Sequence, residues 1–205
     1  MEDLTSVQLE AATRAIDEAN AADPNTLEVR GRSGPKELIH SEMMTEWVQR
    51  LDPDADAAQL VAARAHHLRR WTRPRDAYPQ GRAGYRRWRR AAARAQADEV
   101  ASILVGIGAA PDFVERVGGI IRKQGLGNDP AVQTHEDALC LVFLETQLDD
   151  VVESLGVDHA TAVVARTIPK MPAGALEHAT ALELSPTGRE VLAAAADAAN
   201  PEASQ

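Results

Sequence analysis

Residues 64–94 read RAHHLRRWTRPRDAYPQGRAGYRRWRRAAAR. Eleven arginines stand here with no lysine and one acid, Asp76, so the stretch carries +10 with its histidines neutral. The whole chain is at −9, which leaves −19 on the other 174 residues. Half of the basic residues of an acidic protein are thus gathered in one segment, and the planar arginine fork grips phosphate or carboxylate in a bidentate way. His66 and His67 add the side chain that titrates nearest neutral pH. The stretch also sets the architecture. It predicts the end of a helix near Trp71, a loop TRPRDAYPQG with two prolines, and a long helix from Arg82 towards Ile107.

Outward from it, the pattern stays helical. Upstream, Thr5 or Ser6 caps a helix to about Asn20, and Asp-Pro in ADPNT ends it. VRGRSGP reads as a loop, a second helix runs from Lys36 to about Leu51, and Asp56 caps the third. Downstream, Pro111 opens a short helix closed near Gly125 or Gly127, and Asp129-Pro130 or Thr134 opens an apolar helix to about Leu155. Asp158 caps a helix to about Pro169, a short helix follows through Leu182, and Ser185-Pro186 starts the last. Alanine is abundant, β-branched residues are few and no segment reads as a strong strand. The expectation is an all-α bundle of eight or nine helices, one domain over residues 1–200, with 201–205 a frayed tail.

No apolar run approaches the roughly 20 residues a bilayer span requires, and the acidic amphipathic N-terminus is wrong for a secretory signal. The single cysteine, Cys140, sits within ALCLVFL and reads as a small buried hydrophobe. A reducing cytoplasm is the expected compartment.

Three ionisable residues fall on apolar stripes of three helices: His40 with Met44 and Trp47, His67 with Leu60 and Ala63, and Asp137 with Leu141 and Leu144. Buried ionisable groups need partners or a metal, and histidines converging with a carboxylate are common ligands for a divalent cation. Thr134 and Asp137 also form a T-x-x-D pattern, which allows Asp137 to close a helix start instead. Arg69, Arg70 and Arg73 flank His67, while Arg82, Arg86 and Arg89 recur at roughly helical spacing. These six are the candidate anion-binding residues, although an arginine-rich face is also an ordinary solvated face.

The order His40, His66-His67, Asp137 resembles the H…HD…D signature of the HD-domain phosphohydrolases. That resemblance implies an all-α bundle, metal-dependent hydrolysis of phosphoesters, and His40, His66 and Asp137 as ligands. His67 stands where the superfamily has its bridging aspartate, a departure that weighs against the usual two-metal chemistry. ARAHHLRRW, YPQGRAGYRRWRR, VQTHEDALCLVFLE and LSPTGR together resemble a family of small bacterial and fungal proteins of unknown function. This second likeness covers nearly the whole chain and favours His67, Glu136 and Asp137 as the working residues, with one metal or none.

The leading expectation is an HD-like hydrolase of a small phosphorylated or other anionic substrate. His67, Glu136 and Asp137 would be catalytic, and His40, His66, His67 and Asp137 would hold Mn²⁺, Co²⁺, Mg²⁺ or Fe²⁺. The alternative is a non-catalytic module that binds a nucleotide or similar anion. Nucleic-acid binding through residues 64–94 ranks third, because the net charge of −9 opposes long-range attraction to a polyanion. The helix pair is expected to bring His67 against an acid of the Thr134–Leu155 helix.

Overall fold

The computed structural model describes residues 3–199, so the tail read at 201–205 lies outside the described residues. These residues form nine α-helices, three single turns of 3₁₀ helix and one two-stranded hairpin, a predominantly all-α fold. No helix among them is long and apolar enough to cross a membrane. The chain divides into two compact units, one ending at His135 and the other beginning at Glu136.

In the first unit, α1 (Ser6–Asn20) opens with a capping box. The Gln8 N–H donates to Thr5 Oγ1, and the Thr5 N–H donates to Gln8 Oε1. β1 (Thr26–Val29) and β2 (Arg32–Pro35) then pair antiparallel, with Val29 opposite Arg32. The segment expected to be a loop is thus a hairpin. Arg30 and Gly31 both take positive φ, 52° and 71°, as a two-residue hairpin turn with the right twist requires. The turn itself carries a single glycine, Gly31, and two four-residue strands leave little alternation to read.

α2 (Lys36–Leu51) follows directly, and the Glu37 N–H is accepted by the Asp23 carboxylate at 3.0 Å. Arg30 and Arg32 of the hairpin pair with Glu46 and Glu42 of this helix. α3 (Ala57–Arg64) begins with a second capping box, Asp56 with Gln59. It stops at Arg64, about two turns short of the expected end near Trp71, and the Arg64 fork grips both oxygens of Asp17 on α1.

Two 3₁₀ turns, Arg70–Thr72 and Arg75–Ala77, lead to α4 (Gly81–Gly106). Arg75 donates to the carbonyls of Tyr78 and Pro79, and the Trp88 indole N–H donates to the Arg73 carbonyl, so both ends of this loop are tied. Gly84 is required where α4 passes beneath it, because a Cβ there would lie 1.8 Å from the Pro79 carbonyl oxygen. Gly84→Ala is therefore expected to destabilise the protein by about 2 kcal/mol or more as backbone is forced aside. A denaturant midpoint unchanged from wild type would contradict this close approach.

α5 (Pro111–Ile121) packs on α3 and α4, and the first unit ends in the opening turns of α6 (Pro130–Leu155). Its core centres on Ile16, Val61, Val100, Leu104, Phe113 and Val117. Thr134 and Asp137 lie inside α6 rather than at its start, so they form no capping box.

The second unit holds the rest of α6, α7 (Val157–Val164), α8 (Ala173–Thr180) and α9 (Pro186–Ala199). Gly156, at φ 83°, is the N-cap of α7, and Asp158 sits in its first turn. α7 packs against α9. Ser185 Oγ accepts the Gly188 N–H and donates to Asp149, joining the start of α9 to α6.

Candidate metal centre and basic cleft

α3 ends early at a specific place. After Arg64 the backbone turns, and His67 and Arg69 both adopt left-handed conformations, at φ 66° and 48°. Such a conformation costs a non-glycine residue about 1 kcal/mol or more. The Asn20 side-chain oxygen accepts the Arg69 N–H at 3.1 Å and fixes the reversal. The turn directs both adjacent histidines inward, which a continuing helix would not do, since neighbours there point about 100° apart. His66 is 5% exposed and the His67 side chain 12%.

Four imidazoles meet in this interior. The His67 ring stacks on His40 of α2 and lies against His66, with centroids 4.3 Å apart in each case. His66 Nδ1 lies 3.0 Å from Nε2 of His135, on the first turns of α6. A neutral pair at that distance shares one hydrogen bond, which fixes both rings.

Glu37, one turn before His40, closes the cluster with Oε2 at 3.2 Å from His67 Nδ1. That contact lacks hydrogen-bond geometry, and Glu37 Oε2 has no hydrogen-bond partner. Neither nitrogen of His40, at 1% exposure, has one either. A buried imidazole with both nitrogens unsatisfied is uncommon and has room for an ion or an ordered water as its partner. One donor atom each from Glu37, His40 and His67 lies within 4.8 Å of the others, so the three can hold a metal ion. Donor atoms that share a cation at bonds of about 2.1 Å sit about 3.0–3.4 Å apart, and the Glu37–His67 separation already does.

Burial sets the protonation states. It lowers His40 and His135 to about 3 and takes His66 and His67 well below the ordinary value, with neighbouring cations and imidazoles adding to it. Burial raises Glu37 to about 7, against the pull of Arg70. Each histidine therefore adds stability that is present above about pH 6.5 and is lost as the solution is acidified through the range between unfolded and folded values. Glu37 works the other way, its contribution declining as pH rises towards 7. Four histidines outweigh one carboxyl. Metal-free protein is expected to lose stability steadily below about pH 6.5, and a thermal midpoint flat from pH 7 to 4 would contradict neutral buried imidazoles.

Above the cluster opens a cleft of about 460 Å³, lined by Lys36, Glu37, Arg70, Trp71, Arg73 and Trp88 among others. Arg70 lies over the face of Trp88, its guanidinium carbon 4.4 Å from the ring centroid. Burial lowers its pKa while Glu37 opposes that shift. Its guanidinium makes no hydrogen bond or ion pair among the described residues. Arg73, by contrast, pairs with Glu99 at 2.7 Å.

Of the six arginines singled out from sequence, Arg70 and Arg73 line the cleft. Arg69 is exposed in its left-handed turn, and Arg82, Arg86 and Arg89 are exposed on the first half of α4. Of the expected ligands, His40 and His67 belong to the triad and His66 to the pair with His135. His67 and Arg70 do not share a helix, and Glu37 of α2 lies beside His67. Glu136 and Asp137 are buried in the second unit, where Glu136 lies 3.7 Å from the Lys170 ammonium. Sequence reading passed over Glu37, Lys36 and His135. The spacing Glu37-x-x-His40, one helical turn, was the signal that could have found the first.

Fold and site together define an all-α protein with a buried histidine–carboxylate group beneath a basic cleft. A family model described as a domain of unknown function, DUF4202, matches residues 10–192, and the chain belongs to that family. No curated protein matches the chain, and no solved structure does.

Proposed function

We propose that the protein is a metal-dependent hydrolase of phosphate esters, with its cation held by Glu37, His40 and His67. One observation carries the reading: the Glu37–His40–His67 group, with Glu37 Oε2 and both His40 nitrogens buried and without a hydrogen-bond partner, lies under a cleft where a guanidinium has no ion-paired acid. Two imidazoles and one carboxylate favour Mn²⁺, Fe²⁺, Co²⁺ or Zn²⁺ over Mg²⁺. Bound there, such a cation supplies a Lewis acid and a water that ionises near neutral pH.

The chain's own groups do the remaining work. Lys36 and Arg70 receive the phosphoryl oxygens, and the Trp88 face holds the Arg70 fork in place before substrate arrives, so little reorganisation is needed as charge develops. His66 and His135 fix each other and support His67 from behind. In the reaction a bond forms from the water oxygen to phosphorus, the ester P–O bond breaks, and the leaving alcohol takes up a proton.

Protein loaded separately with each cation should hydrolyse p-nitrophenyl phosphate, and a chelator should abolish turnover. Phosphate binding that depends on Arg70 but persists without a metal and without turnover would instead make this a non-catalytic anion-binding module. No turnover with any of the four cations would count against the hydrolase.

A further inference from the structure

The cleft does not end at Arg70. Trp88, under that guanidinium, belongs to α4, and its ring lies 5.8 Å from Tyr85 one turn earlier. Tyr85 in turn lies under Arg89, at 5.9 Å, and is 45% exposed. Arg70, Trp88, Tyr85 and Arg89 thus form a continuous series of ring and cation contacts leading out of the cleft. Beyond it, Arg82 and Arg86 share a stripe with Arg89 at i, i+4 and i+7, about 10 Å along the helix.

Several arginines elsewhere in the chain are engaged by acids. Arg30, Arg32, Arg64, Arg73 and Arg116 each hold a carboxylate. Arg82, Arg86 and Arg89, like Arg87 and Arg90 on the same helix, are exposed and have no ion pair among the described residues, and the first three share the stripe that Arg89 joins to Tyr85. With 31 acidic residues against 22 basic ones, the chain has acids enough to neutralise them, yet this stripe stays free where it meets the cleft.

We propose that the substrate is the phosphorylated end of a single-stranded oligonucleotide. Its terminal phosphate enters the cleft at Lys36 and Arg70, and the following phosphodiesters run along Arg89, Arg86 and Arg82. This rests on the phosphate-ester reading above and deepens it. The half-buried indole of Trp71 in the cleft wall and the exposed ring of Tyr85 on the stripe offer stacking faces for bases, which a chain of bare phosphates would not use. The net charge weakens attraction at a distance, but contacts on the stripe act within the ~8 Å screening length of physiological salt.

The test measures binding to metal-free full-length protein in competition assays, so that no probe is consumed by hydrolysis. The probes are orthophosphate, a 5′- or 3′-phosphorylated oligoribonucleotide of about ten nucleotides, the same oligonucleotide dephosphorylated, and inorganic polyphosphate. The phosphorylated oligonucleotide should bind at least tenfold tighter than orthophosphate and tighter than either other chain. In the triple variant Arg82→Ala/Arg86→Ala/Arg89→Ala that ratio to orthophosphate should fall towards one, while Trp71→Ala reduces it severalfold. A ratio unchanged in the triple variant, a dephosphorylated strand bound as tightly, or polyphosphate bound as tightly would each overturn the assignment. Orthophosphate binding that Arg70→Ala does not weaken defeats the parent reading, and the oligonucleotide proposal with it.

Discussion

Replacing His67 with alanine is expected to lower the affinity for Mn²⁺ or Zn²⁺ by about a hundredfold or more. The substitution removes one of the three donors of the triad, and disturbing even a supporting partner of a ligand commonly costs 10–100-fold. The side chain is mostly buried at 12% exposure, so its loss leaves a small cavity. The left-handed backbone at residue 67 also remains strained with alanine. Some loss of stability is therefore expected, and affinity should be measured on protein shown by circular dichroism to be folded. His66→Ala separates the two roles, because it removes the partner of His135 rather than a member of the triad. It should weaken the metal by about tenfold. Metal titration by calorimetry reads both, and equal losses in the two variants would dissolve the distinction between ligand and support.

The same site predicts the direction of a pH effect. Cation binding needs the Glu37 carboxylate, which burial holds protonated up to about pH 7. The stabilisation that a fixed metal concentration confers should therefore grow as pH rises through neutrality, with proton release on binding. Metal stabilisation that is independent of pH between 6 and 8 would remove Glu37 from the ligand set.

Arg70→Ala carries the second large expectation, a fall in phosphate affinity of at least thirtyfold. Truncating one member of a partly buried, charge-assisted contact costs about 2–5 kcal/mol, and Arg70 is the cleft arginine with neither a carboxylate nor a backbone oxygen to hold. Arg73→Ala makes a useful contrast. Its guanidinium is engaged with Glu99, so its loss should appear chiefly as a small change in stability. Arg70→Lys should recover part of the binding but not all of it, because an ammonium neither stacks on Trp88 nor offers a fork. Phosphate titration followed by thermal shift compares the three variants. An Arg73→Ala protein that loses more affinity than Arg70→Ala would reverse the assignment.

Much of this fold could be read along the chain. The capping residues Thr5 and Asp56, Pro111 and Pro130 at helix starts, and the apolar stripe through His40, Met44 and Trp47 all act locally, and each stands where its chemistry requires. The hairpin was harder. Its strands are four residues long, and one of its two turn residues is an arginine forced to positive φ. The end of α3 was hidden for a different reason. Helical periodicity continues through His67 and Trp71, yet the helix ends at Arg64, and a hydrogen bond from Arg69 to Asn20, 49 residues away, holds the turn that follows. That long-range contact turns His66 and His67 into the interior together, so the candidate site depends on an event no local pattern records. The arginine stretch was legible as a whole but not residue by residue. Which guanidiniums are free depends on where Glu99 and the carbonyls of Tyr78 and Pro79 fall.

Glu37, His40 and His67 are expected to bind one divalent cation beneath Arg70. Anomalous diffraction at the metal edge, on crystals grown with stoichiometric Mn²⁺ or Zn²⁺, tests it most directly. A single peak should lie about 2.0–2.2 Å from one ring nitrogen of His40, one of His67 and a Glu37 oxygen. A peak among other residues, or none at these three in fully loaded protein, would contradict the account.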